Sequence, residues 1–162
     1  MAGAVRAVRR LGVRYLTIHA AGGRAMLAAA QAEAGEEIQL LSVTLLTSID
    51  AEEAARIGFG DPADVVRRLS DMTIEAGVRG FITSGAEVQE LHRSYPDAVS
   101  RGAGHQARGE DGTQDQQRVA TPTEAVRRGA SLLVVGRPIT KSADPGATAA
   151  VFVQEILEGE ER

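Results

Sequence analysis

Apolar residues along this chain fall into two kinds of block. At Val5, Val8 and Leu11 they recur at helical spacing with arginines between them, which predicts an amphipathic helix over Ala2 to Leu11 without a capping residue ahead of it. Elsewhere they form short continuous runs, at Val13 to Ile18, Ile38 to Leu46, Gly80 to Thr83 and Leu132 to Val135, which read as strands, the second and the last of them as buried strands in a sheet covered by helices. A helical stretch follows each strand. The alanine-rich run Arg24 to Ala34 is closed by Gly35, and Pro62 to Ala76 starts after the N-cap candidate Asp61 and is closed by Gly77. Further helices are expected over Ala86 to Tyr95, from Thr121-Pro122-Thr123-Glu124 to about Arg128, and from Pro145 to Glu158.

Strands written as apolar runs and alternating with helices imply a parallel sheet covered by helices. The alternation falters once. From Asp97 to Gln117 there is almost no apolar residue where another strand is due, so four clear strands and one damaged strand are expected. A closed (β/α)₈ barrel typically takes about 250 residues. With 162 residues, the chain is either a small open sheet or most of a barrel lacking its beginning, in both cases as a single domain over 1–162.

Composition narrows the chemistry. The chain contains no cysteine and only three scattered histidines, so a disulfide framework, a thiol nucleophile and a zinc site are not expected. A net charge of −4 with no concentrated basic face argues against nucleic acid as a partner, and no run resembles a membrane span or secretory signal. A cytoplasmic location is the expectation. Of the 18 basic residues only Lys141 is a lysine, so any reaction needing an ammonium group has one candidate.

That lysine follows the most informative stretch, Leu132-Leu133-Val134-Val135-Gly136-Arg137-Pro138-Ile139-Thr140. Glycine lets a ligand approach the main chain, and the planar guanidinium fork of Arg137 matches phosphate oxygens. A strand ending in Gly-Arg therefore predicts a phosphate site, at the end of a strand where α/β folds keep their sites.

These motifs form a recognisable set. LTIHAAGG at 16–23, SVTLLTS at 42–48, FITSGAE at 81–87, DQQRVATPTEA at 115–125 and LLVVGRPIT at 132–140 occur in the order and spacing of bacterial orotidine 5'-phosphate decarboxylases, which the chain resembles over essentially its whole length. The resemblance implies a (β/α)₈ TIM barrel, here incomplete and lacking about its first three βα units. It implies a homodimer that needs no metal or organic cofactor and converts orotidine 5'-monophosphate to UMP and carbon dioxide in pyrimidine synthesis. It assigns Thr47 to the pyrimidine, Gln116 to the phosphate, and Gly136 and Arg137 to the phosphate grip of the last barrel loop.

The same resemblance shows what these residues lack. The family's lysine and aspartate array, including the Asp-x-Lys-x-x-Asp motif whose lysine protonates the carbanion at C6, has no match, so no catalytic residue is assigned and the isolated chain is expected to be inactive or nearly so. Lys141 stands at the wrong end of the barrel to replace that lysine. The family's Val-Thr-Pro-Gly-Ile-Arg-Pro strand and phosphate loop is also missing where this chain reads Val99 to Ala107. A one-base shift within GGG-CAT-CAG-GCC-CGC, one possible coding of Gly104 to Arg108, restores Gly-Ile-Arg-Pro-Ala. A frame-shifted patch there, and a GTG codon read as Met1, are the corresponding expectations about the gene.

Other polar residues receive structural readings: Ser84 and Glu87 as a capping box, His19 as a packed or hydrogen-bonded strand-end histidine, and Glu110, Asp111 and Asp115 as solvated. Two other functions stay open. One is a non-catalytic nucleotide-binding module or pseudoenzyme; the other, ranked last, is a metal-dependent barrel lyase acting on a keto-sugar phosphate.

Overall fold

The computed structural model describes residues 1–46, 48–85, 87–105 and 121–161, and of 99–105 the backbone alone. They belong to two compact units, Met1–Ile82 and Thr83–Arg162.

In the first unit the predicted alternation appears as α1 (Ala2–Arg9), β1 (Tyr15–His19), α2 (Arg24–Ala34), β2 (Gln39–Val43), α3 (Ala51–Arg56), α4 (Pro62–Glu75) and β3 (Gly80–Thr83), whose last residue opens the second unit. All pairings are parallel: β1 lies beside β2 with Tyr15 opposite Gln39 and Ile18 opposite Ser42, and β2 lies beside β3 with Ser42 opposite Phe81. The sheet can be this tight because residue 80 has no side chain. A Cβ there would stand 2.5 Å from the Leu40 carbonyl oxygen.

Side chains along β1 alternate as a half-covered strand requires. Leu16 and Ile18 join a core of Val5, Leu27, Ala30, Ala34, Ile38, Leu40 and Val78, while Tyr15, Thr17 and His19 are exposed on the other face. A second cluster joins Leu45 to Val65 and Val66 of α4. The helices are specified locally. The Asp61 carboxylate accepts the N–H groups of Ala63 and Asp64 ahead of Pro62, and Gly77 ends α4 at φ 84°, a conformation glycine adopts without Cβ strain. Helix α1, which has no side-chain cap, is held from outside by arginine–carboxylate bridges, from Arg6 to Glu33 of α2 and from Arg9 to Glu37 in the turn that follows α2.

The second unit contains α5 (Val88–Ser94), β4 (Val99–His105), α6 (Pro122–Arg127), β5 (Leu132–Val135), α7 (Arg137–Thr140) and α8 (Pro145–Glu160). The damaged strand expected within Asp97 to Gln117 forms as β4, parallel to β5, with Arg101 opposite Leu132, His105 opposite Val135, and an irregularity between Gly102 and Gly104. Parallel pairing uses backbone groups, which even a Gly-rich polar segment retains.

One strand expectation is corrected. Leu132 to Val135 is not buried on both faces: Leu133 packs on Val88, Ala125 and Ala130, but Leu132 and Val134 are 38% and 46% exposed. Only one face of β5 is covered by helix. Two short helices, α3 and α7, were not predicted. Among the described residues no helix is long and apolar enough to cross a membrane. The fold class is α/β, with parallel strands in both units.

Candidate functional site

The Gly136-Arg137 turn sits immediately after β5, and Gly136 is the N-cap of α7. Its carbonyl accepts the N–H groups of Ile139 at 3.0 Å and Thr140 at 3.1 Å, so the chain leaves the strand and winds at once into a short helix. Arg137 is the first residue of that helix and is exposed. Its carbonyl accepts the Lys141 N–H at 2.9 Å, which puts both cationic residues one helical turn apart. An added Cβ at Gly136 meets no atom within 4 Å, so the space before this turn is open.

The turn after α7 is fixed by its own hydrogen bonds. The Ser142 and Thr148 hydroxyls lie 2.6 Å apart, and the Asp144 carboxylate caps α8 by accepting the Ala147 N–H at 2.9 Å. Helix α8 is tied to α6 where the Thr123 hydroxyl donates to the Glu155 carbonyl at 2.9 Å. At Gly159 the two helices come so close that a Cβ would lie 2.8 Å from that of Val126. Helix α6 begins with the expected capping box: the Thr121 hydroxyl accepts the Glu124 N–H and the Glu124 carboxylate accepts the Thr121 N–H. The Gly-Arg turn thus rests on a network of specific bonds within its own unit.

The end of β3 carries a second polar group. The Glu87 carboxylate accepts the Thr83 hydroxyl at 2.8 Å and the Ser84 N–H at 3.1 Å, and the Arg128 guanidinium donates to the Gly85 carbonyl at 2.9 Å. Half of the capping box predicted for Ser84 and Glu87 is therefore present. The other half is not: α5 starts at Val88, and the Ser84 hydroxyl is buried without a hydrogen-bond partner among the described residues. In the first unit Thr44, just past β2, holds a hydroxyl in the same condition. The sequence reading passed over Thr44 and gave Ser84 to capping. The signal for both was a small hydroxyl residue directly after an apolar strand, where a buried donor needs a partner that the fold does not provide.

Of the predicted site residues, Gly136 and Arg137 are placed together on the β5–α7 turn, whereas Thr47 and Gln116 lie outside the described residues. So do Arg108 and the acidic residues Glu110, Asp111 and Asp115. His19 is exposed at the end of β1, which corrects the packed reading of a residue expected to be packed or hydrogen-bonded. No cluster of three or more potential metal ligands occurs among the described residues.

A profile described as the orotidine 5'-phosphate decarboxylase / HUMPS family matches residues 1–152. The orotidine 5'-phosphate decarboxylase of Sphingopyxis alaskensis is 46% identical over 151 residues, which are 92% of this chain and 66% of that protein. That of Thermobifida fusca is 43% identical over 158 residues, 96% of this chain and 67% of its own. Among solved structures, the crystal structure of orotidine 5'-phosphate decarboxylase from Lactobacillus acidophilus superposes with a TM-score of 0.79 at 30% identity, covering 96% of this chain and 68% of that one. The chain spans about two thirds of the length of these relatives. A parallel α/β fold, this superposition and this shortfall make the structure an incomplete (β/α)₈ barrel, and the chain belongs to the orotidine 5'-phosphate decarboxylase / HUMPS family.

Proposed function

We propose that this chain supplies the phosphate-gripping part of a decarboxylase that converts orotidine 5'-monophosphate to UMP, a carbon–carbon lyase reaction. The observation that carries this reading is the Gly136-Arg137 turn, an open space at the end of a parallel strand with a guanidinium at its rim and Lys141 one helical turn behind. Gly136 admits the nucleotide 5'-phosphate to the main chain, and Arg137 neutralises it. Gln116 is assigned to the same phosphate and Thr47 to the pyrimidine. Ser84, whose buried hydroxyl has no hydrogen-bond partner among the described residues, is a further hydrogen-bonding group for the nucleotide. The chain over 1–162 acts as a single domain, in the cytoplasm and as part of a homodimer. Its partner is a small nucleotide, with no nucleic acid, membrane, metal or organic cofactor involved.

By itself the 162-residue chain is assigned binding without turnover. The reaction needs a proton delivered to C6 as carbon dioxide departs, and a proton donor must lie within hydrogen-bonding reach of that atom. The only lysine, Lys141, closes α7 beyond the phosphate turn, at the far end of the nucleotide from the ring. Phosphate binding still matters to catalysis in the complete enzyme, because energy from this remote group can drive loop closure and desolvation at the reacting carbon.

Calorimetric titration with UMP, paired with a decarboxylation assay, tests the reading. Arg137→Ala is expected to weaken UMP binding about ten- to a hundredfold, the range for losing a charge-assisted phosphate contact. Equal affinity in the variant would overturn the site assignment, and turnover by the unmodified chain would overturn the assignment of inactivity.

A further inference from the structure

The turn between β3 and α5 engages the main chain of Ser84 and leaves its hydroxyl open. The Ser84 N–H donates to the Glu87 carboxylate at 3.1 Å, and the Ser84 carbonyl accepts the N–H groups of Glu87 at 3.0 Å and Val88 at 3.2 Å. On one side the Thr83 hydroxyl donates to the same carboxylate oxygen at 2.8 Å. On the other the Gly85 carbonyl accepts from the Arg128 guanidinium at 2.9 Å. The Ser84 hydroxyl, in a residue only 4% exposed, has no partner among the described residues. A buried hydroxyl left open at a strand end, in a turn whose neighbouring groups are bonded, is placed for a ligand rather than for the fold.

We propose that Glu87 and Arg128 are positioning residues for the nucleotide, locking residues 83–85 so that the Ser84 hydroxyl faces the ligand and hydrogen-bonds to it. The inference rests on the nucleotide-binding reading above and adds two residues that act through Ser84 without touching the ligand. Both side chains start from fixed backbone. Glu87 is the residue from which α5 begins. Arg128 is the C-cap of α6, with its N–H bonded to the Glu124 carbonyl at 3.0 Å. The residue after it, Gly129, has φ 102° and lies against α5, where a Cβ would stand 2.6 Å from the His92 Cγ. Glycine alone suits that conformation and that approach, so the corner carrying Arg128 is pinned to the helix that follows Ser84. A turn already fixed in the free protein spares the ligand the cost of ordering it, and that saving appears as affinity.

A double-mutant cycle read by calorimetric titration of the chain with UMP tests this. Ser84→Ala, Glu87→Ala and Arg128→Ala are each expected to weaken UMP binding about three- to tenfold, the range for one hydrogen bond. Glu87→Gln keeps an acceptor oxygen and Arg128→Lys keeps a donor, so both should recover most of that loss. The decisive readout is one that a merely structural role would not give: in the Ser84→Ala background, Glu87→Ala and Arg128→Ala should cost nothing further. Should Glu87→Ala lose the far-ultraviolet dichroism of the parent, Arg128→Ala, which leaves the Glu87 bonds in place, carries the cycle. Losses that add in the Ser84→Ala background, or UMP affinity that Ser84→Ala leaves unchanged, would overturn the proposal. If Arg137→Ala still weakens UMP while the cycle is additive, this proposal alone falls. A chain that does not bind UMP overturns the binding reading and this proposal with it.

Discussion

The two units are built from the same alternation yet hold together differently. In Met1–Ile82 the strands have helices packed on them through long side chains, and Ile18, Leu27, Ile38, Leu40 and Phe81 are almost fully removed from water. In Thr83–Arg162 the buried cluster is small, Val88, Ala125 and Ala130 with Leu133 partly buried against them, and much of the order comes from polar bonds: the α6 capping box, the Thr123 contact to α8 and the Asp144 cap. Buried hydrocarbon resists removal in proportion to its area, whereas caps and single hydrogen bonds contribute about 1 kcal/mol each. Among the described residues, the unit that carries the Gly136-Arg137 turn is thus the one with less apolar burial.

The same substitution in each unit should expose that difference most strongly. Leu27→Ala, at a position with no exposure, is expected to cost about 2–5 kcal/mol, whereas Leu133→Ala, only partly buried, should cost less than half as much. Urea denaturation with amide exchange read separately in α2 and α6 checks this, and equal losses would erase the contrast. The second unit has its own vulnerable point where α6 and α8 touch. Gly159→Ala puts a methyl group 2.8 Å from the Val126 Cβ and 3.1 Å from the Thr123 carbonyl oxygen, so backbone must move, at about 1–3 kcal/mol. Exchange protection in α6 and α8 should fall together. If it is unchanged, the helices approach less closely than described.

How far these regions were legible in the sequence follows the same division. Helix α2 was read to the residue because alanine-rich periodicity ends at Gly35, and α4 to within one residue because Asp61-Pro62 and Gly77 punctuate it. Strand β5 was located but its burial was misjudged: an apolar run reports that a strand has hydrophobic side chains on both faces, not that both faces find neighbours within the chain. Strand β4 was nearly invisible, since its pairing with β5 is made by backbone groups that leave no hydrophobic trace. At the candidate site, the Gly136-Arg137 turn was legible because an apolar run ending in Gly-Arg-Pro marks the end of a strand. The buried hydroxyl of Ser84 was not, because serine in that position fits a capping pattern and only its burial sets it apart.

The smallest expected effect is specific to the first unit and depends on pH. Hydrogen bonds from Arg6 hold the Glu33 carboxyl below the usual carboxylate range, and those from Arg9 do the same for Glu37. A carboxyl depressed in the folded state adds stability that is present above its unfolded pKa, about 4.3, and disappears as pH falls through its folded value. The attachment of α1 to α2 and to the turn after it should therefore be fully maintained at neutral pH and down to about pH 5, then weaken at more acid pH, with faster exchange of the α1 amides when rates are corrected for intrinsic pH dependence. These pairs are exposed, so the effect is modest and salt should reduce it. Replacing both acids, Glu33→Gln with Glu37→Gln, should leave α1 less protected at neutral pH and remove its acid-dependent loss. If the acid-dependent loss persists in the double variant, the bridges are not what fastens α1, and the packing of Val5 into the core must hold the uncapped helix unaided.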